Sequence, residues 1–234
     1  MIHPKWYNPP RSKPMFNINI ATFVSRAITL IIAFTIHEFA HAWTANYFGD
    51  STPRINGRLT LNPLAHLDPI GSLMLLLVGF GWAKPVPVNP YTLRQRSPSA
   101  LMWVSLAGPL SNFLLALIAA IPFQLAFLTA NDVLVSYGSA PTILPTAARF
   151  LFDFMTINLV LALFNLIPLP PLDGDKIAEF FMPESWKNVT ARIRPYGPMI
   201  LILLFMVGPR LGVDLLGWII REPLYFLMNI LIGI

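Results

Sequence analysis

The sequence predicts an all-helical protein with about four to six membrane-spanning helices. Three observations predict it. Of 234 residues, 55% are hydrophobic and only 12% are charged, against roughly 25% charged residues in soluble domains. The mean hydropathy is +0.61. Several apolar runs also reach the roughly 20 residues that a span requires. The high hydrophobic content excludes disorder and a collagen-like fibre. It also excludes an ordinary soluble enzyme, because a soluble fold needs more polar residues to cover its surface.

Apolar runs and polar connections alternate along the chain. The first extends over about 18–48 and is followed by a polar connection at 49–68. The next run, 69–83, is short for a span and is typical of a re-entrant segment. Two clear spans and a predicted helical hairpin complete the set, at about 100–128, 147–167 and 197–234.

Charged residues indicate which connections face the cytoplasm. The net charge is +5, and cytoplasmic loops of membrane proteins carry an excess of Lys and Arg. The connection 129–145 contains neither, so we expect it outside the cytoplasm, whereas the strongly charged stretch 175–196 should be cytoplasmic. No basic run alternates with aromatic residues, so nucleic acid is not an expected partner.

The chain divides into a short polar segment and one membrane domain. Residues 1–14 contain four prolines and are not a signal peptide, because no short apolar run with a cleavage site follows them. From 15 to 234 we expect a single domain, with its core at about 18–176 and the helical hairpin at its end. There are no cysteines, which excludes disulfides and thiolate metal ligands.

The sequence from His37 to His41, HEFAH, is an HExxH motif inside the first apolar run. Residues i and i+4 of a helix share one face, so the two imidazoles can ligate one metal ion. Glu38 is placed to take a proton from water at that metal. The alternative is a hydrogen-bonded histidine pair beside a buried glutamic acid. It would place three ionisable side chains in hydrocarbon at a cost of several kcal/mol, so the motif predicts a metal site.

A catalytic zinc site takes three protein ligands, so a third must be found. Asp173 is the strongest candidate, because it follows an apolar span and prolines that unwind the helix, and Gly174 gives the chain freedom to turn. Asp153 lies inside the same span, and we expect it to pair with Arg149 one turn earlier. Weaker candidates in polar or charged connections are His66, which we interpret as a loop histidine, Glu179 and Glu184.

Asn112 and Asn165 are amides within apolar spans. One interpretation is a hydrogen bond between helices, worth about 0.6 kcal/mol. The other is a contact to a substrate carbonyl or to the oxyanion that forms on hydrolysis. Asn165 is eight residues before Asp173, which favours the second interpretation somewhat more for Asn165 than for Asn112.

Three motifs in this order resemble those of the site-2 protease family of intramembrane zinc metalloproteases. They are HEFAH in an apolar helix, AGPLSN in a later span, and FNLIPLPPLDG before a charged stretch. The phrases GRLTLNPLAHLDPIG and GFGWAKPVPVNP further resemble the minimal prokaryotic branch. HExxH alone is shared by many zinc proteases, whereas the ordered set is far more specific. The chain lacks the PDZ and CBS domains of larger relatives, so regulation by them is not expected.

This resemblance implies one zinc ion per chain, bound by His37, His41 and Asp173, with Glu38 as the catalytic base. It assigns substrate or oxyanion contacts to Asn165 and Asn112. The implied activity is hydrolysis of peptide bonds in or near the transmembrane segments of single-span membrane proteins. The implied location is a prokaryotic cell membrane, with the active site nearer the cytoplasmic side.

The segment KPVPVNP at 84–90 cannot be helical, because its alternating prolines favour extended chain. The family resemblance places a membrane-inserted extended hairpin there. It further implies that this strand pairs with an unwound substrate, through Pro85, Val86, Pro87, Val88 and Asn89.

Two topologies follow from the run 69–83. If it is re-entrant, the helices that carry HExxH and precede Asp173 run parallel and end toward the cytoplasm. If it is a full span, the amino terminus lies in the cytoplasm, as its basic residues would prefer. The family resemblance favours the first.

Two rival functions remain open from the sequence. One is a membrane HExxH protease of the kind that trims prenylated proteins, whose third ligand is a glutamate on a later helix. The other is a non-catalytic zinc-binding or transport protein, which would not need Glu38 as a base.

Overall fold

The computed structural model describes residues 20–78, 82–138 and 142–233, and the polar segment 1–14 lies outside them. Helices form throughout the described residues and no β-strand occurs among them, which confirms the all-helical class. The helices are α1 (Ile20–Tyr47), α2 (Thr52–Ile55), α3 (Pro69–Val78), α4 (Pro90–Arg96), α5 (Ala100–Gln124), α6 (Ala130–Gly138), α7 (Ala147–Asn165), α8 (Asp173–Phe181), α9 (Glu184–Ile193), α10 (Gly197–Ile202) and α11 (Leu215–Ile232).

Five helical stretches of the described chain are long and apolar enough to cross a membrane. They are Ile20–Tyr47, Ala100–Gln124, Ala147–Asn165, Glu184–Val207 and Leu215–Ile232. This number lies within the range that the sequence predicts, and the chain is an integral membrane protein.

Contacts between helix ends give the direction of the bundle. At one end, the guanidinium of Arg149 near the start of α7 donates to Thr22 Oγ1 near the start of α1. At the same end, Phe123 of α5 and Ile232 of α11 pack against Ala148 of α7. Gln124, the last residue of α5, donates from Nε2 to the Ile230 carbonyl of α11 at 2.9 Å. Helices α1 and α7 therefore run parallel, and α5 and α11 run against them. This is the first of the two topologies above.

Small side chains let these helices pack closely. Ala116, Ala119 and Ala120 on α5 form a buried cluster with Met155 and Leu159 on α7. Lipid tails are as apolar as leucine, so membrane helices associate through close packing rather than through exclusion of water. The alanines allow the two backbones to approach, and this contact fixes α7 against α5.

The short apolar run 69–83 begins and ends at the same place. The Lys84 N–H donates to the His66 carbonyl at 2.9 Å, which joins the chain just before α3 to the chain just after the run. Helix α3 has 10 residues, or about 15 Å of length, which is half of a bilayer core of about 30 Å. Both observations favour the re-entrant interpretation over a full span.

Residues 82–89, which we call the edge segment, have no regular secondary structure. Each residue before a proline is restricted to extended conformations, which applies to Lys84, Val86 and Asn89. The prolines predict extended chain here, and the family resemblance implies a hairpin. The described residues contain one extended segment that pairs with no second strand.

The predicted C-terminal hairpin has two unequal arms. Helix α11 follows α7 along its length, from Leu216 beside Ile167 to Met228 beside Met155. Leu201 of α10 joins the same buried cluster as Leu216 and Ile167. The residues on both sides of the turn at 208–214 thus lie where α7 ends. The stretch Glu184–Val207 has the length and hydropathy of a span, but its packing keeps it at that end of the bundle.

The expected ion pair between Arg149 and Asp153 does not form, and this prediction was wrong. The Tyr137 hydroxyl donates to Asp153 Oδ1 at 2.6 Å, and the Arg149 guanidinium lies 4.3 Å from the Tyr137 ring centroid. The connection 129–145 contains helix α6, and this helix brings a tyrosine to both charged side chains. Asp153 lies near the end of the bundle where α7 begins and belongs to no metal-binding group.

Candidate metal centre

The two histidines of the HExxH motif and Asp173 meet at one point. His37 and His41 are on one face of α1, and their Nε2 atoms lie 3.0 Å apart. Asp173 Oδ2 is 3.2 Å from His37 Nε2 and 3.3 Å from His41 Nε2. Two ligands of a tetrahedral zinc ion, each about 2.0–2.1 Å from the metal, are about 3.3 Å apart. The three atoms therefore have the spacing of a metal site, and no other such group of three occurs in the described residues.

Hydrogen bonds on the far side of each imidazole fix its orientation. His41 Nδ1–H donates to the Val104 carbonyl at 2.6 Å, since a carbonyl oxygen can only accept. His37 Nδ1–H donates to Asn112 Oδ1 at 2.5 Å. With both Nδ1 atoms protonated, each Nε2 presents its lone pair toward Asp173. Such outer partners set the tautomer and orientation of metal-binding histidines.

Asn112 forms hydrogen bonds between helices, which is one of the two interpretations that the sequence leaves open. Its side chain is fully buried, and Nδ2 donates to Asn158 Oδ1 at 2.8 Å while Oδ1 accepts from His37. It is not among the residues that line the cavity described below. The described contacts of Asn112 thus favour the interhelical interpretation, in which it orients His37, and the substrate contact stays a prediction. Asn158 was missed, although the same signal, an amide in an apolar span, would have identified it.

Gly108, from the AGPLSN motif, gives the imidazoles their room. A Cβ atom at this position would collide with His41 Nε2 and His37 Nε2. Helix α5 can therefore pass beside the histidines only because residue 108 has no side chain. The sequence shows the glycine, but the contact joins residues about 70 positions apart and no local pattern encodes it.

We expect the substitution Gly108→Ala to abolish metal binding, because the added methyl group would occupy the space in front of both Nε2 atoms. Metal per chain in the purified protein should fall from about one to near zero. Gly138→Ala is the matched control, since a Cβ there meets nothing within 4 Å. Full metal content in the Gly108 variant would contradict this account of the site.

Asp173 reaches the histidines because the chain unwinds between α7 and α8. Three prolines at 168, 170 and 171 prevent helix there, and Asp173 then begins α8. A Cβ at Gly174 would collide with the Ile167 carbonyl oxygen, so the glycine lets α8 start against the end of α7. The two glycines, 108 and 174, thus permit the two close approaches that assemble the site.

The acidic residues after Asp173 are engaged in ion pairs. Arg194 Nε donates to Asp175 Oδ2 at 2.7 Å, and its guanidinium also contacts Glu179. Burial favours the neutral form of Glu179, but the hydrogen bond and charge of Arg194, with the charge of Arg94, hold its pKa below the ordinary value. Glu179 is therefore a charged partner of arginines and lies outside the metal-binding group.

The remaining weaker candidates also lie elsewhere. Glu184 pairs with Lys187 at 2.6 Å on the surface. His66 is fully buried, and its Nε2 lies 2.7 Å from the Thr60 carbonyl. It joins no metal-binding group and is a structural part of the connection that precedes α3.

Glu38 faces a cavity of about 1110 Å³ that also exposes His37, His41 and Asp173. The walls of the cavity come from α1, α5, α7, α8, α10, α11 and the edge segment. Glu38 is 7% exposed, and its Oε2 accepts from the Val86 N–H at 3.1 Å. A carboxylate beside the metal-binding atoms and open to a cavity is placed to act as a general base.

Asn165 and the edge segment line the same cavity. Asn165 Nδ2 donates to the Leu161 carbonyl one turn back at 3.0 Å, at the end of α7 that leads to Asp173. Pro85, Val86 and Val88 of the edge segment all border the cavity. The structure thus brings Asn165, unlike Asn112, to the cavity.

Comparisons with known proteins agree with this site. The profile of peptidase family M50 matches residues 25–208. The protein of Bacillus subtilis named "Putative zinc metalloprotease YwhC" is 41% identical over 179 residues, which cover 76% of this chain and 78% of that protein. Two further relatives are also described as a "Putative zinc metalloprotease". Rip2 of Mycolicibacterium smegmatis is 29% identical over 88% of this chain and 75% of its own length. MJ0611 of Methanocaldococcus jannaschii is 27% identical over 82% and 84%. No solved structure gives a significant match.

Proposed function

Since the chain belongs to peptidase family M50, the site-2 protease family of zinc metalloproteases, we propose that it is an intramembrane endopeptidase. Its substrates are single-span membrane proteins, cut in or near their transmembrane segments. The observation that carries this proposal is the position of the His–His–Asp group and Glu38 on a cavity walled by membrane helices. A substrate segment can reach such a cavity from the bilayer.

The group that fits these ligands is a single zinc ion. Two neutral imidazoles and one carboxylate form the kind of three-ligand set that leaves one position open for chemistry. Zinc supplies Lewis acidity, which generates a nucleophile from water near neutral pH and polarises a peptide carbonyl. Glu38 takes the proton from the attacking water, while Asn112 and the Val104 carbonyl keep both imidazoles in register.

A helical substrate must unwind before a peptide bond can be cut, and its freed backbone groups then need partners. The edge segment supplies them by strand addition. Pro85 and Pro87 have no N–H, and the Val86 N–H is bonded to Glu38. The Val88 N–H is therefore the donor of 85–88 that remains for a substrate strand. Asn165, on the same cavity, is placed to bind a substrate carbonyl or the oxyanion.

The metal end of the bundle is the cytoplasmic end in this proposal. The connections near it carry the basic residues Arg54, Arg58, Lys84, Arg94, Arg96, Lys176 and Lys187. The connection 129–145 at the opposite end has no Lys or Arg. The positive-inside rule then places the active site nearer the cytoplasm of a prokaryotic cell membrane, in keeping with the bacterial and archaeal relatives.

The proposal is tested with the purified protein in liposomes that contain a single-span substrate. We expect cuts within the transmembrane segment, which mass spectrometry of the products locates. A zinc chelator should reduce cleavage to background, and added zinc should restore it. Cleavage that survives complete removal of the metal, or that is confined to the loops of the substrate, would refute the proposal.

A further inference from the structure

Two buried charged side chains from the connection after α1 hold the edge segment at its two ends. Asp50 is 2% exposed and Arg58 is 6% exposed. Among the described residues, no ion pair joins them, and no hydrogen bond joins either of them to the metal-binding group. Isolated charges are buried at considerable cost unless hydrogen bonds satisfy them. The hydrogen bonds of both side chains go to backbone groups. These backbone groups show which segments the two charges hold in place.

Asp50 holds the far end of the edge segment. Its Oδ2 accepts from the Asn89 N–H at 2.6 Å, and its Oδ1 accepts from the Thr52 N–H at 2.9 Å. One carboxylate therefore joins the start of α2 to the last residue before α4. Hydrogen bonds from backbone N–H groups to an ionised carboxylate are roughly twice as strong as neutral ones.

Arg58 holds the near end. Its guanidinium donates to the Ala65 carbonyl, to the Lys84 carbonyl at 3.2 Å and to the Pro85 carbonyl at 3.3 Å. These carbonyls come from both sides of the re-entrant run. A guanidinium offers five donors in a rigid fork, whereas lysine has one compact ammonium group. The separated nitrogens of arginine therefore suit three carbonyl oxygens at different positions better than the single nitrogen of lysine does.

The bonds to Asp50 and Arg58 occupy the backbone groups at the ends of the segment and leave its centre open. Successive residues of an extended chain are about 3.3 Å apart and alternate in direction. Val88 therefore points to the same side as Val86 and lies about 7 Å further along. The Val86 N–H is bonded to Glu38. The bonds at the two ends of the segment keep Val86 in this place, and they therefore set the distance from the Val88 N–H to the general base.

We propose that Asp50 and Arg58 are positioning residues that fix the register in which a substrate strand docks at Val88. This inference rests on the proposed function. With both ends held, one substrate residue pairs with Val88, and a defined peptide bond lies beside Glu38. If either end is released, the segment can shift, and a displacement of about 1 Å at a catalytic site can cost about 100-fold in rate.

The test compares Asp50→Asn and Arg58→Lys with wild type and with Arg54→Lys, the control. Arg54 is an exposed arginine of α2, four residues before Arg58. We expect unchanged zinc per chain in all four proteins. Cleavage should fall by about 100-fold in the two positioning variants and stay at the wild-type rate in the control. The products of these two variants should show cuts at several neighbouring bonds, where wild type cuts at one.

A cross-link provides the second measurement. The chain has no cysteine, so Val88→Cys adds a unique thiol. A substrate series with single cysteines should give a disulfide at one position in the wild-type background and at several positions when Asp50 or Arg58 is replaced. A purely structural role would lower stability without spreading the cut sites or the cross-links.

Three results would overturn the proposal. One is a wild-type rate and a single cut site in both positioning variants. Another is loss of zinc from both, which would make these residues general supports of the fold. The third is a wild-type protein that binds zinc but cuts no membrane substrate. That result refutes the proposed function, and the positioning role fails with it.

Discussion

Replacement of Glu38 by glutamine should abolish peptide cleavage and leave one metal ion bound per chain. Glutamine has nearly the same shape as glutamate. Its amide oxygen can still accept the hydrogen bond that the Val86 N–H donates to Glu38 Oε2 in the wild type, at 3.1 Å. It cannot take up a proton at neutral pH. General bases contribute about 10²–10⁴-fold to rates, so the cleavage rate should fall by about 100-fold or more. The metal should stay bound, because its ligands, His37, His41 and Asp173, are unchanged.

Metal analysis and product quantification on the same protein preparation give the answer. Glu184→Gln is the control, because Glu184 lies on the surface in a pair with Lys187. It removes the same charge far from the cavity and should change neither quantity. If the Glu38 variant kept both its metal and the wild-type rate, Glu38 would not be the base. Another group would then have to act as the base. The rival interpretation as a zinc-binding or transport protein would be favoured only if wild type and variant both bound zinc and neither cleaved peptide.

The parts of this protein that the sequence predicts well are those encoded locally. HExxH places two imidazoles on one helix face through the helical repeat alone. The long apolar runs predict α1, α5 and α7, since bilayer thickness dictates their length. The prolines before Asp173 predict where α7 must end. Asp173 lies 136 positions after His37, and no local pattern connects the two residues. Only the family resemblance assigns Asp173 to the same site as the two histidines.

What the sequence does not predict depends on contacts between distant segments. The bond from His37 to Asn112 and the space that Gly108 leaves for both imidazoles arise only when α5 packs on α1. Helix geometry predicts a pair between Arg149 and Asp153, which are one turn apart. The pair does not form, because Tyr137 from another helix donates to Asp153. Length and hydropathy likewise cannot tell the traversing α11 from the stretch Glu184–Val207, which packing holds at one end.

Asp173→Ala should lose both metal and cleavage. Asp173 supplies the only carboxylate oxygen within reach of the two Nε2 atoms in the described residues, so the variant leaves two neutral ligands. Loss of an outer partner of a ligand already costs about 10–100-fold in metal affinity, and loss of a ligand should cost more. Zinc per chain, measured after dialysis against a fixed free-zinc concentration, should fall from about one to near zero.

Asp214→Ala tests whether the effect is specific. Asp214 also lines the cavity, where it pairs with Arg221 at 3.2 Å. Its removal takes a carboxylate from the same space without touching the metal group, so zinc should stay bound. Full zinc in the Asp173 variant would instead favour the rival prenyl-protein type of protease, whose third ligand is glutamate. Glu179 and Glu184 would then have to leave their basic partners to reach the histidines. The geometry therefore favours aspartate, and this variant decides between the two.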